Sequence, residues 1–112
     1  MRELHHPTAE SIRLENVLHA LSDPARMQIV LCLVDQGEVT CGRCTANAPK
    51  STVSHHLRVL REAGVIRMRP EGVAMLNSVR LEDLENRFPG LLQSILEAAR
   101  RDPVMKPQHA HL

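Results

Sequence analysis

Lys50-Ser51-Thr52-Val53-Ser54-His55-His56-Leu57-Arg58-Val59-Leu60-Arg61-Glu62-Ala63-Gly64-Val65-Ile66 is the stretch that decides how this chain folds. Val53, Leu57 and Leu60 recur at the spacing of one helical face, so they anchor a helix on a core. Ser51 is the expected N-cap of that helix, and Gly64 stands where it ends. Directly beyond, Val65 to Arg69 alternates like a short strand, Pro70-Glu71-Gly72 is a turn signal, and Ala74 to Arg80 is a second strand pattern. Upstream, Thr40 caps a short helix across residues 40–46, and Ala46-Asn47-Ala48-Pro49-Lys50 reads as a turn.

Working outward, Thr8 caps a first helix that runs to Leu21 with Leu14, Val17, Leu18 and Leu21 on one face. Asp23 is a good N-cap and Pro24 a good first residue for a second helix ending near Asp35, with Met27, Val30, Leu31 and Val34 inward and Gly37 just past its end. After the hairpin, residues 81–87 read as helix, and Pro89 interrupts or restarts a helix carrying Leu91, Leu92, Ile95, Leu96 and Ala99. The expected organisation is a loose arm over residues 1–7, one domain over 8–100, and a disordered tail over 101–112. The 112 residues suffice for one domain. Phe88 is the one aromatic, so the core must be aliphatic, which favours packed helices. The fold class is mainly α with a β-hairpin wing, a winged helix-turn-helix.

A turn between two short helices sets them at a steep angle, and the second can then lie in a major groove. With Val53 and Leu57 inward, Ser51, Thr52, Ser54, His55 and Arg58 fall near the outer side. Hydroxyls and His55 suit base edges, while Lys50 and Arg58 suit phosphates. Arg67 and Arg69 alternate on one strand and share a face, so the wing is expected to grip the flanking backbone. The net charge is only +1, but residues 37–80 carry seven basic and three acidic side chains, while both flanking parts are net acidic. A local basic face is what phosphate contact needs. The bland alternatives are a capping Ser51, a solvated Arg58 and a partly packed His56; for His56 that packed reading is the one preferred.

The segments Ala20-Leu21-Ser22-Asp23-Pro24-Ala25-Arg26 and Ser51 through Ile66 resemble the ArsR/SmtB family of bacterial repressors, over residues 10 to 98. The resemblance implies a winged-helix homodimer with its first and last helices at the interface. It also implies repression by operator occupancy, relieved by a ligand or a thiol change. It places Ser51, Thr52, Ser54 and His55 on the recognition helix and Arg67 and Arg69 near the wing. The apolar surplus of the C-terminal helices independently favours a dimer. The interface is expected at Leu14, Leu18, Leu91, Leu92, Ile95 and Leu96. Two-fold pairing would set the recognition helices about 34 Å apart, matching a near-palindromic double-stranded operator.

Cys41-Gly42-Arg43-Cys44 puts two thiols at i, i+3, near enough on a helix to share a soft metal ion or to oxidise reversibly. One pair is short of a closed zinc site, and the alternative is cysteines that fill space. Arsenic-sensing relatives carry Cys-X-Cys near this helix, a spacing this chain misses by one residue. Zinc- and cobalt-sensing relatives use Asp and His on the last helix, and residues 81–100 contain no His. Cys32 is expected as buried filler, and all three cysteines as thiols. The pairs His5/His6 and His109/His111 lie in the terminal segments and read as solvated. No apolar run of membrane-spanning length and no signal-peptide core occur, so the expected location is the cytoplasm. No catalytic constellation appears, and no enzyme is expected. The competing classes are a protein-interaction module that borrows the winged-helix shape, and a thiol redox enzyme, which lacks the βαβ setting of its CxxC.

Overall fold

The computed structural model describes residues 4–45 and 48–103. Helix α1 spans Leu14–Leu21 and α2 spans Pro24–Gln36. Strand β1 is Val39–Thr40, followed by a 3-10 turn at Cys41–Arg43. Helix α3 covers Lys50–Glu62, strands β2 and β3 cover Ile66–Glu71 and Ala74–Val79, and helices α4 and α5 cover Leu81–Arg87 and Leu91–Arg101. The sheet is antiparallel with order β1-β3-β2.

The α1–α2 corner is built by side chains whose types suit the task. Asp23 Oδ1 accepts from Ala25 N–H (2.8 Å) and Arg26 N–H (3.1 Å), satisfying two free donors at the start of α2. Pro24 takes the first helical position, where no N–H is needed. Arg26 then turns back and donates to the carbonyls of Ala20 (2.8 Å) and His19 (3.4 Å), closing the C-terminal end of α1. The corner bends the chain by 100°. Among the described residues no single helix is long and apolar enough to cross a membrane.

Several boundaries depart from the sequence expectation. Thr8 does not start one continuous helix. A 3-10 turn at Ala9–Ser11 breaks off, Ile12 and Arg13 are extended or nearly so, and α1 begins at Leu14. The break inserts Ile12, 1% exposed, into the core beneath Gly64, and Arg87 takes up its carbonyl. The short helix expected over residues 40–46 is replaced by β1 and the 3-10 turn. The β-branched pair Val39–Thr40 registers with Asn77 and Leu76 on β3 and adds a third strand to the expected hairpin. Pro70 lies within β2, tolerated because β2 is an edge strand. Of the expected loose arm, residues 1–3 lie outside the described residues, whereas residues 4–7 are held. Arg61 donates to the His5 carbonyl (3.0 Å), Arg80 to the Pro7 carbonyl (2.8 Å), and Met68 N–H to His6 Nε2 (3.0 Å). Most of the expected tail, with His109 and His111, also lies outside the described residues.

The core is aliphatic: Ile12, Val17, Ala20, Ile29, Val30 and Leu33 meet Leu57, Leu60, Val65, Ile66, Leu84 and Leu96. It grips α3 on one side and leaves the other to solvent.

Candidate nucleic-acid interface

On α3, Val53, Leu57 and Leu60 are buried, while Lys50, Ser51, Thr52, Ser54, His55 and Arg58 are all exposed. Thus every residue expected on the outer face lies there. One detail differs. Pro49, not Ser51, occupies the N-cap, and no side chain caps the helix. Pro49 has the extended backbone that entry into a helix needs, so the helix starts two residues early and the Ser51 hydroxyl faces outward without a capping bond. His56 is half-buried, and its Nδ1 lies 3.3 Å from the Arg26 guanidinium. The neighbouring histidines therefore divide: His55 faces solvent, and His56 packs against the α1–α2 corner. This contact joins the Asp-Pro-Ala-Arg and Ser-His-His-Leu segments in space.

The C-terminal end of α3 is tied to the wing by a tight reversal. Val65 N–H donates to the Leu60 carbonyl (3.0 Å), and Gly64 adopts φ +88°. The hairpin then projects Val73 wholly into solvent at its tip.

Arg67 and Arg69 share the outer face of β2, as their spacing requires, yet their surroundings differ. Arg67 is exposed and has no ion-pair partner among the described residues. Arg69 donates from Nε and Nη2 to the two oxygens of Glu38 and from Nη1 to Glu71, each at 2.8 Å. Arg69 beside it holds the Glu38 carboxyl below its ordinary range. The sequence offered no sign of this partner, because Glu38 and Arg69 are 31 residues apart. Arg43 is a further exposed cation, in the 3-10 turn before α3. Its place in the basic middle of the chain was the available signal, but the expected site omitted it.

The cysteine expectation is corrected. Cys44 forms a disulfide with Cys32, with Cα atoms 5.8 Å apart, rather than pairing with Cys41. The helix that would have aligned Cys41 and Cys44 is only a 3-10 turn that ends before Cys44. Cys44 instead turns toward α2, where Cys32 is half-buried beside the core. Cys32 is therefore no mere filler, and these two cysteines are not free thiols. Among the described residues, no three His, Cys, Asp or Glu side chains cluster as metal ligands do.

The apolar residues expected at a dimer interface fall into two groups. Leu14 and Leu18 are 42% and 45% exposed. Leu92 and Leu96 lie in the protomer's own core, with Leu91 and Ile95 half-buried beside them. Arg100 on α5 pairs with Asp35 on α2 at the surface (2.8 Å).

Comparison with known proteins agrees with this geometry. The family profile described as a helix-turn-helix domain matches residues 21–69. The transcriptional repressor SdpR of Bacillus subtilis is 37% identical over 84 residues, covering 73% of this chain and 92% of SdpR. The HTH-type transcriptional regulator YceK of the same organism is 33% identical over 82 residues, covering 70% of this chain and 82% of YceK. A solution structure from Mycobacterium bovis, a homodimeric winged helix-turn-helix DNA-binding domain of "a possible ArsR-family transcriptional regulator", superposes with a TM-score of 0.60 at 27% identity. It covers 80% of this chain and 84% of that one.

Proposed function

Since the chain belongs to the ArsR family of winged helix-turn-helix transcriptional regulators, we propose that it acts in the cytoplasm as a homodimeric repressor on a near-palindromic double-stranded operator. The carrying observation is the row of exposed groups on α3, set on a buried Val53-Leu57-Leu60 spine. Ser51, Thr52, Ser54 and His55 read base edges in the major groove. Lys50, Arg58 and Arg67 neutralise phosphates and fix the register. Exposed Leu14 and Leu18, with Leu91 and Ile95 at the edge of α5, supply the dimer face; Leu92 and Leu96 support it from behind.

The effector reading that the cysteine geometry favours is thiol-based. Cys32 and Cys44 lose two protons and two electrons to hydrogen peroxide, which leaves as two waters, and the bond fixes the segment just before α3 to α2. In a reducing compartment such a bond is a switch rather than a permanent staple.

Fluorescence anisotropy on a duplex from the DNA upstream of the protein's own coding sequence tests both statements. Tight binding that falls steeply with salt supports the repressor. Salt-indifferent weak binding favours the protein-interaction module. A difference between reduced and peroxide-treated protein, lost in Cys32→Ser/Cys44→Ser, supports the thiol effector; no difference removes it.

A further inference from the structure

We propose that Arg69 is a positioning residue of the wing and not a phosphate contact. On this reading its guanidinium straps the hairpin to the segment that follows α2, and leaves Arg67 as the wing's cation for the DNA backbone. The inference rests on the DNA-binding reading above.

The sheet gives the wing little hold of its own. Strand β1 is two residues long and reaches only Leu76 on β3. From Pro70 to Met75 the hairpin is a two-stranded ribbon paired with itself alone, and such ribbons are marginal in isolation. Arg69 stands at the root of this ribbon. It registers with Leu76, the same residue that pairs with Thr40. From the edge strand its guanidinium reaches across β3 to Glu38, just before β1, and also binds Glu71, two residues along its own strand. The strap therefore spans all three strands, and its far end is covalently close to the C-terminal end of α2.

The same contacts argue against a phosphate role. To bind DNA, Arg69 would surrender three charge-assisted hydrogen bonds of 2.8 Å, two of them a bidentate grip on one carboxylate. A phosphate replaces at most a bidentate pair. The exchange would also leave Glu38 and Glu71 unpaired close to a polyanion. Arg67 makes no ion pair among the described residues and lies on the same outer face.

The test is salt-dependent anisotropy on a short random-sequence duplex, since phosphate neutralisation is read there without knowledge of the operator. Arg67→Ala should flatten the log K against log salt slope by about 1 per protomer. Arg69→Met should weaken binding about fivefold, the scale of a well-formed exposed ion pair, and lower the slope by clearly less than Arg67→Ala does, because it frees two carboxylates but removes no phosphate contact. Arg69→Glu should weaken it further, and the swap Glu38→Arg/Arg69→Glu, made together with Glu71→Gln so that the exchanged carboxylate meets no like charge, should restore most of that loss. In parallel, the 15N order parameter of Val73 at the wing tip should fall in Arg69→Met and recover in the swap.

A slope lowered by Arg69→Met as much as by Arg67→Ala would make Arg69 a phosphate contact and overturn the proposal. A swap as weak as Arg69→Glu alone would do the same. An unchanged Val73 order parameter in Arg69→Met would remove the strap even from a protein that binds no DNA. Failure of the wild type to bind any duplex refutes the DNA reading instead.

Discussion

Gly64→Ala tests whether the junction between recognition helix and wing is as crowded as it looks. Gly64 has φ +88°, and a Cβ built there would lie 2.6 Å from Ile12 Cγ1 and 2.8 Å from Ile12 Cδ1. Two costs add. A left-handed conformation costs an alanine about 1–2 kcal/mol. Overpacking a filled core costs about 1–3 kcal/mol. Ile12 is 1% exposed and cannot swing into solvent, so the clash cannot be relieved by a surface rotamer. The expected loss is about 2–5 kcal/mol, a large share of the ~5–15 kcal/mol that holds a domain together. Urea unfolding followed by circular dichroism measures it, with Ile12→Ala as the second arm. Ile12→Ala alone should cost about 2–5 kcal/mol through its cavity. It also deletes the three atoms that crowd position 64. In that background Gly64→Ala should cost only its backbone share, about 1–2 kcal/mol. The two substitutions must therefore be coupled. Additivity within about 0.5 kcal/mol, or a Gly64→Ala loss below about 1 kcal/mol, would refute the steric reasoning.

Other expectations follow from single contacts. Arg26→Met should cost about 2–3 kcal/mol in the same assay, because the buried carbonyl of Ala20 loses a charged donor. Reduction of the Cys32–Cys44 bond should destabilise the fold by about 3 kcal/mol, the loop-closure entropy for a separation of 12 residues; Cys44→Ser should make the protein insensitive to reductant. Burial lowers the His6 pKa below 6.5, the Leu4 carbonyl opposes this, and Arg61, Arg80 and Arg67 add to the lowering. Neutral His6 is thus favoured by the folded chain. Its contribution is fully present above pH 6.5 and is lost as pH falls through 6.5 toward the lowered folded value. The Met68 amide should accordingly lose protection from hydrogen exchange on acidification, and His6→Gln should flatten that pH dependence. His55→Ala should reduce the affinity ratio of operator over random duplex, by about 1–3 kcal/mol for each lost base contact. Equal losses on both duplexes would show that His55 does not read bases.

Local chemistry made much of this protein readable in advance. Asp23 and Pro24 favour a helix start on local grounds, because cap geometry involves only the next few residues. Val53, Leu57 and Leu60 fixed which face of α3 turns inward, and so which residues turn outward. The hairpin came from alternation and a turn, both local. What the sequence left open concerned pairs distant in the chain. The third strand exists because Val39 and Thr40 meet Asn77 and Leu76. Cys44 meets Cys32 rather than its near neighbour Cys41, because residues 41–43 form only a 3-10 turn. Arg69 looked equivalent to Arg67 by spacing until Glu38 came within 2.8 Å of its guanidinium. Periodicity and capping are properties of a few consecutive residues. Ion pairs, disulfides and strand partners depend on how the whole chain closes on its core, and only the tertiary structure decides them.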